Sequence, residues 1–225
     1  MSLSIICDDP GNRSDERKQM IEEQLILRGI NNRDILQSML IVPRHCFVSK
    51  QYQAYAYDDC PLPISAGQTI SQPYIVALMV KALKPANTDR VLEIGTGSGY
   101  AAAVLSRIVA MVYTIERHEA LGNEAQARLK ALKYDNIQVR IGDGTKGWYE
   151  KSPFDGIIVS AGAPNIPQSL VDQLKPGGHI VVPVGDEITQ ELLILYKKHD
   201  GETSIEKIGA VRFVPLIGDE GWDMS

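Results

Sequence analysis

The sequence predicts a doubly wound α/β fold: a mostly parallel seven-stranded sheet with an antiparallel edge and an N-terminal helical extension. Three observations carry this. Val91-Leu92-Glu93-Ile94 is an apolar run that ends in Gly95-Thr96-Gly97-Ser98-Gly99 and continues into Ala101-Ala102-Ala103-Val104-Leu105; this reads as a strand, a tight turn and a helix in succession. From residue 90 onward, strand-like runs alternate with helical ones, the pattern of a parallel sheet with right-handed crossovers. The last two apolar runs, 192–196 and 210–216, have no helix between them and should pair antiparallel at one edge.

In chain order, residues 1–13 carry Pro10, Gly11 and Asn12 and read as a loose arm. A helix is expected from Ser14, with Ser14 as its cap, Asp15 and Glu16 in the first turn and Gly29 as its stop. A second helix after Asn32 buries Ile35, Leu36, Met39 and Leu40 and ends at Pro43. The stretch 57–73 is punctuated by proline and glycine yet apolar, as a functional loop packed on a domain would be. A helix over 72–83 tolerates Pro73 in its first turn. Strands follow at 91–94, 111–116, 137–142, 154–160, 179–184, 192–196 and 210–216, with helices at 100–109, 119–132 and after Pro167.

The 225 residues form one domain by length, divided here into an extension carrying the substrate loop (1–84) and a cofactor-binding core (85–225). With 44% hydrophobic and 23% charged residues the composition is that of a globular protein, and a net charge of −5 argues against a nucleic-acid partner. No apolar run approaches a membrane span, and no secretory leader is visible. Cys7, Cys46 and Cys60 sit at unrelated spacings, which suggests neither a disulfide framework nor a metal site and fits a reduced, cytoplasmic compartment. The oligomeric state is open, with a monomer as the working expectation.

A nicotinamide fingerprint would place glycine where Tyr100 stands. The pattern Glu93-x-Gly95-x-Gly97-x-Gly99 instead resembles S-adenosylmethionine-dependent methyltransferases of the Rossmann-like class. Ligands of such sheets lie at the carboxyl ends of the strands. Glu116 ends the second strand of the core, where an acid can accept from both ribose hydroxyls; alone it does not separate the two cofactors. Gly142-Asp143-Gly144 ends the third, where an aspartate can accept from an adenine amine, although Asp-Gly is also an ordinary turn. Together with Thr96 and Ser98 these residues form the expected S-adenosylmethionine site, with Glu93 either holding the turn or reaching the methionine part.

For the acceptor, the chain has Ser160-Ala161-Gly162-Ala163-Pro164 where amine-methylating enzymes often carry Asn/Asp-Pro-Pro-Tyr/Phe. Its four histidines (His45, His118, His179, His199) are scattered and suggest no base. A carboxylate acceptor explains both facts, because it is ionised at neutral pH. Gln68-Thr69-Ile70-Ser71-Gln72-Pro73 suits an anion: Ser71 precedes the 72–83 helix, as its cap or as a substrate contact.

These motifs make the chain similar to the protein-L-isoaspartate (D-aspartate) O-methyltransferase family in its prokaryotic form. The likeness runs from about residue 14 to Trp222 and includes Val42-Pro43-Arg44, Leu62-Pro63-Ile64, Gly67 to Tyr74, Pro153-Phe154-Asp155, Pro183-Val184-Gly185 and Arg212-Phe213-Val214-Pro215-Leu216. The resemblance implies protein repair, methylating the free α-carboxylate of isoaspartyl residues in damaged proteins. It implies Ser71 as the active-site serine, Thr69 and Ile70 beside it in the substrate loop, and peptide contacts from residues 211–214, Val214 among them. Departures are mild: Ser65-Ala66 stands where glycine is usual, His45 where an acid often follows the arginine, and Ala101 where glutamine is common. Rival readings are another carboxyl or small-molecule methyltransferase and a silent cofactor-binding module, which would have no use for an intact Thr69-to-Pro73 segment.

Overall fold

A computed structural model of the chain describes residues 13–223; the expected loose arm lies almost wholly outside them. Helix α1 (Ser14–Gln19) runs on through a π-helical turn (Met20–Leu25) and a 3₁₀ turn (Ile26–Arg28), and stops at Gly29 in the left-handed conformation. Ser14 is not its cap. The cap position is Arg13, and no side chain caps the first turn's amides. Helix α2 (Arg33–Ile41) is capped in the expected way, Asn32 Oδ1 accepting from the amides of Asp34 at 2.9 Å and Ile35 at 3.1 Å.

The stretch after Pro43 is less irregular than its composition suggests. Two 3₁₀ segments, Arg44–Phe47 and Lys50–Tyr55, lead to a small antiparallel hairpin of β1 (Leu62–Pro63) and β2 (Thr69–Ile70), turned at Ser65–Gly67. Helix α3 (Pro73–Leu83) follows. Then come β3 (Arg90–Ile94), α4 (Tyr100–Ser106), β4 (Met111–Glu116), α5 (Glu119–Ala131), β5 (Ile137–Ile141), β6 (Phe154–Val159), α6 (Gln168–Asp172), β7 (Leu174–Gly185), β8 (Gln190–Lys197) and β9 (Thr203–Val211).

The sheet has seven strands in the order β5-β4-β3-β6-β7-β8-β9. The pairs from β5 to β7 are parallel, and β8 and β9 add antiparallel. The doubly wound sheet and its antiparallel edge are therefore as expected, but the last strand was placed too late. β9 is Thr203–Val211, a largely exposed edge strand whose Glu206 and Lys207 leave it without an apolar signature. The apolar residues after it leave the ladder. Gly162 N–H donates to Val214 O and Leu216 N–H to Gly162 O, each at 2.8 Å, so this segment lies against the turn after β6.

The pleat divides the core into two layers. On β3, Val91 packs with α2, α3 and α4, whereas Leu92 and Ile94 pack on the opposite face with Phe154, Ile157 and Leu170. Glu93 shares the face of Val91, a carboxyl at a position where the alternation calls for an apolar side chain. Among the described residues no helix is long and apolar enough to cross a membrane, and no cluster could hold a metal. Cys60 is free, but Cys46 is disulfide-bonded; Cys7 lies outside the described residues. The expectation of no disulfide is to that extent overturned, and the cysteine argument for a reducing compartment goes with it.

The cap of α2 is testable by itself. Asn32→Ala should cost about 1 kcal/mol of stability in urea denaturation, and an unchanged midpoint would show that the two amides find other partners.

Candidate active site

The glycine turn is built by backbone conformations that a side chain resists. Gly95, Gly97 and Gly99 take φ of 91°, 53° and 89°, in the left-handed region that only glycine enters freely. Gly95 and Thr96 both donate to the carbonyl of Ile115 on β4, which pulls the turn across the end of the neighbouring strand. Glu116, the last residue of β4, completes the tie. Its Oε2 accepts from Gly97 N–H and its Oε1 from His118 N–H, both at 2.9 Å. Each oxygen keeps a second acceptor site.

Beneath the turn lies a buried polar chain. Parallel register places Glu93 beside Thr114. Thr114 Oγ1 donates to Glu93 Oε2 at 2.6 Å, and Thr96 Oγ1 lies 2.7 Å from Thr114 Oγ1. Glu93 is fully buried, and its Oε1 has no hydrogen-bond partner among the described residues. Burial pushes its carboxyl up to about 8; the Thr114 hydrogen bond works against this and the nearby Glu116 charge adds to it.

These residues line a cavity of about 280 Å³ under α3. Of the expected cofactor residues, Glu93, Gly95, Thr96, Gly97, Ser98, Glu116 and Gly144 are in its wall, together with Thr69, Ile70, Ser71 and Val214 from the expected substrate set. Gly99, Gly142 and Asp143 are not. Gly99 occupies the cap position of α4, backed by Leu129. Gly144 tucks under Ile94 so closely that a Cβ could not be accommodated. Asp143 is committed to holding backbone: Oδ1 accepts from Thr145 N–H at 2.9 Å and Oγ1 at 2.7 Å, and Oδ2 accepts from Asp219 N–H at 2.9 Å. Partial burial raises its carboxyl, but these hydrogen bonds outweigh that and hold it below the usual carboxylate range.

A second, larger groove lies on the other side of the Thr69–Ser71 segment, between α3 and the end of β9. Thr69, Ser71, Ser160 and Val214 line both spaces and form the passage between them. Ser71 does not cap α3. The helix begins at Pro73, its cap position is Gln72, and no side chain caps it. One residue of offset takes Ser71 off the helix axis and into the passage. No protein hydrogen bond holds its hydroxyl among the described residues.

Other wall residues were missed from sequence. Ser160 follows β6 and was read only as part of an absent amine-binding motif. Ile217 adds apolar surface beyond the motif ending at Leu216. His118, one of four histidines whose scatter suggested no base, also lines the cavity. Its position two residues beyond Glu116, at the end of β4, was the available signal.

A family model for protein-L-isoaspartate(D-aspartate) O-methyltransferase matches residues 15–221. The chain belongs to this family. A protein-L-isoaspartate O-methyltransferase of Pelotomaculum thermopropionicum is 64% identical over 95% of this chain and 93% of its own length. One from Desulfosudis oleivorans is 56% identical over 92% and 93%. Among solved structures, a protein-L-isoaspartate O-methyltransferase superposes with a TM-score of 0.83 at 30% identity, covering 91% of this chain and 67% of the other. A Plasmodium falciparum protein assigned to the same family, solved with S-adenosyl-L-homocysteine, gives 0.76 at 27% identity, with 92% and 98% covered.

Glu93 makes a signed prediction. Its carboxyl binds a proton more tightly folded, near pH 8, than unfolded, near the ordinary 4.5. Stability of the ligand-free protein should therefore fall as pH rises between these values. Glu93→Gln should melt above the wild type at pH 8, with the gap closing at pH 5. A constant gap across that range, by calorimetry, would show that Glu93 does not titrate there.

Proposed function

We infer that the chain is a repair methyltransferase that transfers a methyl group from S-adenosylmethionine to the free α-carboxylate of L-isoaspartyl residues in damaged proteins and peptides. The observation that carries this reading is Ser71, with an uncommitted hydroxyl, in the passage between an enclosed cavity beside the glycine turn and an open groove. Family membership supports it.

The residues present fit the cofactor. The turn from Gly95 to Gly99 offers bare backbone, Glu116 keeps acceptor capacity on both oxygens for a ribose diol, and the orphaned Glu93 Oε1 is an acceptor for the cationic methionine end. Gly142, Asp143 and Gly144 are assigned to the adenine end. Asp143 acts there through its remaining Oδ2 capacity and by holding the turn that carries Gly144.

Held by these residues, the cofactor would supply an electrophilic methyl group for the acceptor carboxylate, sulfur being able to keep the electron pair of the broken carbon–sulfur bond. No proton moves, so the site needs no base. The chain's own task is to bind, align and exclude water. Thr69, Ile70, Ser71 and Val214 hold the acceptor, Ser71 by donating to the carboxylate oxygen that does not react. The whole chain is read as one methyltransferase domain, residues 1–84 supplying the acceptor loop and 85–225 the cofactor site.

Labelled cofactor should methylate an isoaspartyl peptide and leave the matching aspartyl peptide unlabelled; labelling of both equally, or of neither, would overturn this reading. Ser71→Ala should lower kcat by about 10- to 100-fold, with the cofactor dissociation constant unchanged. Asp143→Ala should do the reverse, weakening cofactor binding in calorimetry and sparing kcat at saturation.

A further inference from the structure

Helix α5 touches both halves of the site from behind. Glu124 and Arg128 stand four residues apart on it and so share a face. Arg128 Nη1 donates to the carbonyl of Ser98 in the glycine turn at 2.8 Å. Glu124 Oε2 accepts from Ser65 Oγ at 2.9 Å, across 59 positions of sequence. Ser65 opens the turn between β1 and β2, the hairpin that leads into Ser71. Next to it Ala66 is held at φ 57°, ψ 29°, a left-handed conformation that a residue with a Cβ avoids unless its surroundings impose it. The hairpin also meets the glycine turn directly, since Ile64 Cδ1 lies 3.5 Å from where a Cβ on Gly97 would be. Ser65 and Glu124 line neither the cavity nor the groove.

We propose that Ser65 and Glu124 are a positioning pair that fixes the acceptor loop in register on the donor turn, with α5 as the splint between them. The proposal rests on the functional reading above. A serine at this place lets the hairpin reach a carboxylate on the same helix face that, through Arg128, steadies Ser98. Thr69 and Ser71 are thereby held at one distance from the glycine turn, and small displacements of reacting groups are costly in rate.

The test compares wild type with Ser65→Gly, Glu124→Ala, the double variant and Glu124→Gln. The kinetic readouts are kcat, the KM for an isoaspartyl peptide and the cofactor dissociation constant. Ser65→Gly and Glu124→Ala should each lower kcat/KM for the peptide about fivefold and leave cofactor affinity unchanged. The double variant should be no worse than either single one, and Glu124→Gln, which keeps an oxygen acceptor, should recover most of the loss. Amide hydrogen exchange gives a readout independent of activity. The Gln68 amide, which donates to Ser65 O at 3.2 Å, should exchange about fivefold faster than wild type in either single variant and equally fast, with no further gain, in the double. Additive losses, no loss, or a Glu124→Gln variant as impaired as Glu124→Ala would overturn the proposal. A wild type inactive on the peptide would sink the proposed function, while the exchange comparison would still decide whether the pair holds the loop.

Discussion

The hydrogen bond from Gly97 N–H to Glu116 Oε2 is the constraint on which the rest of the site depends. It joins the ends of two adjacent parallel strands at the point where one becomes a turn. Strand register alone brings the two ends level, because Glu93 pairs with Thr114 and Ile94 with Ile115. A left-handed glycine is then needed to aim the amide sideways. With the turn so held, Ser98 faces α5, Thr96 faces the hydroxyl of Thr114, and the face of Glu93 closes the cavity floor. A donor site made in this way is rigid because it is backbone tied to strand ends, which restricts it more than loops are usually restricted.

Glu93 shows what that rigidity costs. Alternation along β3 assigns its position to the apolar layer under α3 and α4, and a carboxyl there is destabilising unless its oxygens are satisfied. Thr114 satisfies one. The other has no partner among the described residues, and since Glu93 lines the cavity a cationic ligand there would complete it. Local inconsistency of this kind is what separates a functional position from a structural one. The glycines alone could serve any nucleotide-like ligand, whereas a buried acid with one free oxygen favours a positively charged one.

Much of this was legible in the sequence, and the reasons differ by element. The glycine turn, Glu116 and the alternation of strands and helices are local patterns, each recognisable within a window of a dozen residues. The misplaced β9 was not legible, because an exposed edge strand with Glu206 and Lys207 has no apolar signature, and the apolar run beside it belongs to a different contact. Ser14 and Ser71 both look like caps by composition and neither is one. A cap depends on where the backbone first turns helical, and a Pro73 start moves that point by a residue. The commitment of Asp143 to Asp219 was hidden for another reason: that amide is 76 positions away, beyond the reach of any local pattern.

The acceptor side rests on the same economy as the donor side. An ionised carboxylate meeting a sulfonium needs no proton transfer, so no histidine or lysine has to be poised near neutral pH. The nearest imidazole, His118, has its backbone amide engaged with Glu116 and sits on the donor side of the cavity. What remains, on the proposed reading, is a geometric demand: the two groups would have to meet at the passage formed by Thr69, Ser71, Ser160 and Val214. Three of these come from loops, and loops are the least constrained parts of such a fold. Fixing them requires ties to regular elements: Val214 is held through Gly162 after β6, and the Thr69–Ser71 segment through the hairpin and its bond to α5. Without such ties the passage would widen before any residue in its wall was changed. Sequence variation far from the reacting atoms, at positions such as Ser65, can therefore tune the rate without altering the chemistry.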